Sequence, residues 1–264
     1  MKLNEKFAKI NGLRVRFVDE GVGEPLVLIH GLGECIESWK FQLPVLSKYF
    51  RTIAMDLRGF GKSDKPENVT DIYDFVEDIR ALIEFLGLER VNLLGFSMGG
   101  MISLAFYEKY PKYVKSLILA DTISHIPKKT LKDIIQTRLS ILEKSGMVGL
   151  AEYISDISFY TKGEGYNFFK ELLIQNDEDY YKDVMMKLLK ADLRKVLTKI
   201  KVPTLILVGE YDKTTPPRLV EYMLRKVPDS KLRVIDNAAH MTKMENPEEF
   251  NEYVINFIKL LSHG

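Results

Sequence analysis

Residues 91–110 carry the sharpest change of pattern in the chain. Val91 to Gly95 is a short, largely apolar run, and Met98 to Tyr110 follows as a helical stretch. Pro111 ends that stretch, because the residue before a proline avoids helical backbone. Between the two lies Gly95-Phe96-Ser97-Met98-Gly99-Gly100. Passing from a buried strand to a helix over so few residues forces Ser97 onto a tight turn with strained dihedrals. Small neighbours two residues away on each side let the backbone approach closely. Such a turn requires a sheet whose strands are followed by covering helices.

The rest of the chain repeats that alternation. Phe7 to Ile10 and Arg14 to Asp19 flank Asn11-Gly12, a strong hairpin signal. Pro25 to His30 and Thr52 to Asp56 are short apolar runs, as expected of strands covered on both faces. Asp71 to Leu86 places Ile72, Phe75, Val76, Ile79, Leu82, Ile83 and Leu86 on one helical stripe, and Gly87 is suited to end it. Val114 to Ala120, Pro203 to Val208 and Lys231 to Ile235 read as strands, Pro217 to Lys226 and Glu248 to Leu261 as helices. The expectation is an α/β fold: a mostly parallel, eight-stranded sheet flanked by helices. Residues 122–199 interrupt it without a convincing strand. The spacing of Leu131, Ile134, Ile135, Leu139 and Leu142 predicts amphipathic helices there, and aromatics from Phe159 to Tyr181 cluster in them.

Bulk properties exclude several classes. With 38 basic and 37 acidic residues the net charge is +1, which argues against a nucleic-acid partner. No apolar stretch approaches the roughly 20 residues that span a bilayer, so no membrane partner is expected. Residues 1–6 lack the apolar core of a signal peptide. The single cysteine, Cys35, permits no intrachain disulfide and fits a reducing compartment; cytoplasmic is the expected location. No His, Cys and carboxylate cluster has metal spacing, so no metal site is expected. A homodimer is left open.

A serine hydroxyl is a poor nucleophile at neutral pH and needs a base. His240 lies just past the strand ending at Ile235, at the sheet edge where such folds collect their active residues. The other histidines are weaker candidates: His263 is near the end, His125 opens the insert, and His30 is suited to bracing its own loop. The base needs a carboxylate to set its tautomer. Asp212, after the strand ending at Val208, is preferred; Asp121 is second and Glu210 a rival. Backbone N–H groups of Met98 and Leu32 are the expected oxyanion donors, the second in the flexible loop His30-Gly31-Leu32-Gly33. Cys35 reads as a buried structural thiol.

These segments, together with Asp56-Leu57-Arg58-Gly59-Phe60-Gly61-Lys62-Ser63-Asp64 and Ala239-His240, resemble the α/β-hydrolase superfamily along nearly the whole chain. The order Ser97, Asp212, His240 is that of the superfamily. The chain looks most similar to small microbial carboxylesterases and 3-oxoadipate enol-lactonase-like hydrolases. The resemblance implies that residues 122–199 form a helical cap after the sixth strand, over a core of residues 1–121 and 200–264. It implies no cofactor, and a small-molecule ester as substrate. C–C hydrolysis, lactone hydrolysis and cofactor-free perhydrolysis share the same site. A ligand receptor on the same fold is the non-enzymatic alternative.

Overall fold

A computed structural model describes residues 3–69 and 71–262; His263 lies outside them. Asn11 and Gly12 both take left-handed backbone, φ +47° and +86°, as a two-residue type I′ turn requires. They join β1 (Lys6–Ile10) to β2 (Leu13–Glu20), in a register that sets Ile10 opposite Leu13. β2 then runs antiparallel to β4 (Arg51–Met55). β3 (Pro25–Ile29) is threaded between β4 and β5 (Val91–Phe96), parallel to both. β6 (Val114–Ala120), β7 (Thr204–Gly209) and β8 (Ser230–Ile235) continue the parallel part. The order across the eight-stranded sheet is β1-β2-β4-β3-β5-β6-β7-β8.

Every residue of β5 and β7 is buried, the reason these strands read as unbroken apolar runs. β8 closes the edge and turns Lys231 and Arg233 to solvent, charges that discourage pairing with another chain. β3 stops at Ile29, one residue short of the expected end, where its pairing with β5 finishes.

The helices are α1 (Leu43–Leu46), α2 (Ile72–Phe85), α3 (Met98–Lys109), α4 (Lys128–Ser158) and α5 (Glu164–Ile174). They continue with α6 (Glu178–Leu188), α7 (Arg194–Leu197), α8 (Pro217–Lys226), α9 (Thr242–Glu245) and α10 (Pro247–Ser262). α2 shows how local chemistry sets the ends. The Asp71 side chain accepts the Tyr73 N–H at 2.7 Å, an N-cap that satisfies one free donor. At the other end Gly87 has φ +65°, and Gly87 and Leu88 donate to Glu84 and Ile83, the paired bonds of a Schellman motif. α3 packs on β3, β5 and β6 and against α2, while α10 packs against α1 and β8.

α4 to α7 occupy the stretch between β6 and β7. α4 breaks at Gly146, where φ is +58°, a bend that helical periodicity alone did not anticipate. This helical layer is tied to the sheet at named points. The Tyr180 hydroxyl donates to the Arg58 carbonyl at 2.8 Å, and Asn176 Nδ2 donates to the Gly33 carbonyl at 2.9 Å. Apolar side chains of α4 to α6, such as Leu150, Leu173 and Met185, join the same continuous core as the sheet.

Candidate active site

Ser97 sits between β5 and α3 with φ +52° and ψ −117°, a conformation that a side-chain-bearing residue adopts only under constraint. The constraint comes from close packing. A Cβ on Gly99 would lie 2.1 Å from the Ile29 carbonyl oxygen, and one on Gly95 2.3 Å from that of Gly99. The turn is therefore closed to larger residues at both flanks. It holds the serine at the carboxyl end of the central strand, half-buried, at the start of α3.

His240 Nε2 lies 3.0 Å from Ser97 Oγ, and His240 Nδ1 lies 3.0 Å from Asp212 Oδ2. The His240 side chain is 6% exposed and that of Asp212 0%. Asp212 is itself fixed. Its Oδ1 accepts the Thr214 and Thr215 N–H groups at 2.7 and 2.9 Å, and its Oδ2 accepts the Thr215 hydroxyl. Burial raises the pKa of Asp212, but the His240 ring and the Thr215 bonds outweigh it and hold the carboxyl below its usual range. The carboxylate thus stays charged and aims one lone pair at Nδ1. This sets the tautomer with Nε2 free to accept a proton from Ser97.

The rival carboxylates are turned elsewhere. Asp121 is fully buried at the end of β6, where it accepts the Gly209 N–H at 3.1 Å and the Thr242 hydroxyl. Burial, reinforced by the charge of Asp212, pushes its pKa well above the ordinary carboxyl range. It braces β7 and α9 and does not meet His240. Glu210 accepts the Asn237 N–H at 3.2 Å on the surface. His30 accepts the Leu57 N–H on Nε2 at 3.0 Å and therefore donates from Nδ1 to the Gly31 carbonyl at 2.8 Å. Burial lowers its pKa, so it is a neutral brace. His125 packs against the Tyr222 ring, away from Ser97.

Leu32 and Met98 line the same cavity as Ser97 and His240, a space of about 770 Å³. Its roof comes from α4 and the segment that follows, with Ile134, Ile154 and Phe159. Of the aromatics noted in the sequence, Phe159, Tyr160, Phe169 and Tyr181 face this space. Tyr166 instead bonds Asp156 and Tyr180 bonds the Arg58 carbonyl.

Two charged clusters near the site were not legible in the sequence. Lys243, three residues past His240 and fully buried, donates to Glu34 Oε2 at 2.5 Å and to Ser38 Oγ at 2.9 Å. Its ammonium lies over Trp39 and Phe96, 4.2 and 4.5 Å from the ring centres. Burial raises the pKa of Glu34, but the adjacent ammonium brings it below the usual range. The pair joins the Leu32 loop to the His240 segment. In the second cluster Cys35, Glu37 and Asp56 come close enough to suggest a cation site. Arg16 already fills that place, donating to Asp56 Oδ2 at 2.5 Å and to both oxygens of Glu37. Burial pushes the Cys35 thiol up, which leaves it unreactive.

Comparison with known proteins places this geometry in context. The family model for the alpha/beta hydrolase fold matches residues 24–247. A 2-hydroxy-6-oxo-6-(2'-aminophenyl)hexa-2,4-dienoic acid hydrolase of Metapseudomonas resinovorans is 26% identical, over 96% of this chain and 90% of its own. A 3-oxoadipate enol-lactonase of Acinetobacter baylyi is 28% identical, over 89% and 88%. A thermophilic esterase from Thermogutta terrifontis superposes with a TM-score of 0.88 at 26% identity, covering 98% of this chain and 99% of that one. The match runs from β3 to the start of α10 and so takes in the Ser97 turn, both loops that meet it and the helical layer above; the chain belongs to the α/β-hydrolase fold family.

Proposed function

We propose that the protein is a serine hydrolase that cleaves carboxylic esters of small to medium, largely apolar body through an acyl-enzyme. The observation that carries this reading is the unbroken line from Ser97 Oγ through the His240 ring to Asp212 Oδ2, opening onto a mostly apolar cavity. Ser97 Oγ attacks the ester carbonyl as His240 Nε2 takes its proton. Asp212 stabilises the imidazolium that forms. The Leu32 and Met98 amides hold the developing oxyanion, each contributing about 3 kcal/mol to barrier lowering. His240 returns the proton to the leaving alcohol, then activates the water that releases the acid. A lactone is an internal ester and takes the same steps. The names of the relatives make enol-lactone and C–C bond cleavage the competing reactions.

The test is a panel of p-nitrophenyl esters of rising chain length, set against an enol-lactone and a C–C hydrolase substrate. Covalent labelling by a fluorophosphonate accompanies it. Turnover greatest for short to medium acyl groups, with labelling lost in Ser97→Ala, is expected. Absence of labelling, or turnover confined to C–C substrates, would overturn the reading.

A further inference from the structure

Glu245, the last residue of α9, stands between the roof of the cavity and the loop that carries His240. Its Oε1 accepts the N–H groups of Tyr160 and Thr161 at 2.8 and 2.9 Å, in the stretch that leaves α4. Its Oε2 accepts the Ala239 N–H at 2.8 Å, one residue before His240. One carboxylate therefore closes donors from both bodies, an oxygen for each. Other contacts converge on the same stretch. The Met241 N–H, on the far side of His240, donates to the Ser158 carbonyl at 3.1 Å. The Tyr160 ring stacks on that of Tyr211, 4.1 Å between centres and next to Asp212 in the chain. The Tyr211 N–H in turn donates to the Ala238 carbonyl at 2.9 Å.

The stretch held in this way is also cavity wall, because Ser158, Phe159 and Tyr160 line the space beside Ser97. Its seat is shared by bound substrate on one side and by the histidine loop on the other. The bonds to Ser97 and Asp212 orient the imidazole within its plane of reach. The backbone that carries the ring is placed by the amides that flank it. Both are answered from the roof side, Ala239 through Glu245 and Met241 by Ser158. Misplacing a base by about 1 Å can cost up to about a hundredfold in rate. A glutamine at 245 would keep the shape of the side chain but offer one accepting oxygen. Its amino group must then face either the roof amides or the Ala239 N–H, so it can serve one body and not both.

We propose that Glu245 is a positioning residue that ties the placing of the His240 ring to the seat of the roof segment 158–161. This rests on the Ser97, His240 and Asp212 reading above, and the experiment separates the two. Glu245→Gln should lower kcat on p-nitrophenyl butyrate about tenfold and slow fluorophosphonate labelling of Ser97 equally, with KM little changed. The low-field proton resonance of the His240 Nδ1–H bonded to Asp212 should shift or broaden in the same variant. Glu249→Gln is the comparison. Its carboxylate braces the same loop, accepting the Asp236 N–H at 3.0 Å, but its other bonds go to the Asn246 and Tyr253 side chains. That variant should lower the urea midpoint and leave kcat and the resonance as they are. Amide exchange in the parent protein needs no variant: Tyr160, Thr161 and Ala239 should show matched protection, because one carboxylate closes all three. Parental kcat and labelling in Glu245→Gln, or an Ala239 amide that stays closed while the roof amides exchange, would overturn the proposal. Failure of the parent to label would sink the Ser97 reading alone; a resonance unmoved by Glu245→Gln would sink the positioning role.

Discussion

At the scale of single residues, chemistry is decided by which lone pair faces which proton. Asp212→Asn keeps the shape beside His240 but favours the wrong tautomer, so kcat should fall about ten-thousand-fold with the fold intact. Steady-state kinetics beside a circular dichroism spectrum would check this. Asp121 calls for a different test. Its raised pKa means the folded chain holds a proton that the unfolded chain releases above a pH of about 3.9. Stability from this group is full below that pH and is lost as pH rises toward the raised folded value. Asp121→Asn removes the acid, so its stability relative to the parent should grow with pH across that window, by up to about 1.4 kcal/mol per unit. Urea midpoints of both proteins through the acid-to-neutral range would show it; a difference that is flat with pH would refute it. The two aspartates look alike in the sequence, each following a strand. Only the side chains around them, Thr215 for one and Thr242 for the other, separate an orienting carboxylate from a buried brace.

Elements carry the geometry that those residues need. The turn at Ser97 was legible because its glycines answer local steric demands, and the structure shows the atoms that make the demand. Gly99→Ala would drive a methyl into the Ile29 carbonyl. It should destabilise the protein by about 3 kcal/mol and displace the serine, readable as a lower denaturant midpoint together with lost activity. The buried pair of Glu34 and Lys243 is an element-level device of another kind, since it fastens the β3–α1 loop to α9. Lys243→Met alone strands a buried carboxylate and should destabilise by about 3 kcal/mol. Adding Glu34→Gln should recover most of that loss, because neither partner is then a lone charge. Equilibrium unfolding of the single and double variants decides it. A lysine in a short helix and a glutamate more than two hundred residues away give no shared pattern, so sequence reasoning had no purchase on them.

Over the whole molecule, the helical layer roofs the cavity beside Ser97 and is fixed to the sheet below it. Several directed bonds hold the layer, among them the Tyr180 hydroxyl to the Arg58 carbonyl and the Tyr160 and Thr161 N–H groups to Glu245. Tyr180→Phe should lower stability by about 1 kcal/mol and loosen the roof, raising KM more than it lowers kcat. Thermal melts and steady-state kinetics together would separate this from loss of the catalytic groups. No helix among the described residues is long and apolar enough to cross a membrane.

The sequence by itself determined the order of strands and helices, the hairpin at Asn11-Gly12 and the strained turn at Ser97. Each is governed by a short-range rule: burial periodicity, backbone sterics or turn chemistry. Tertiary structure alone decided that Asp212 and not Asp121 meets His240, and how Lys243 finds Glu34. Those outcomes depend on which distant segments share a few ångströms of space. Electrostatics and hydrogen bonding act over that space, and position along the chain does not encode it.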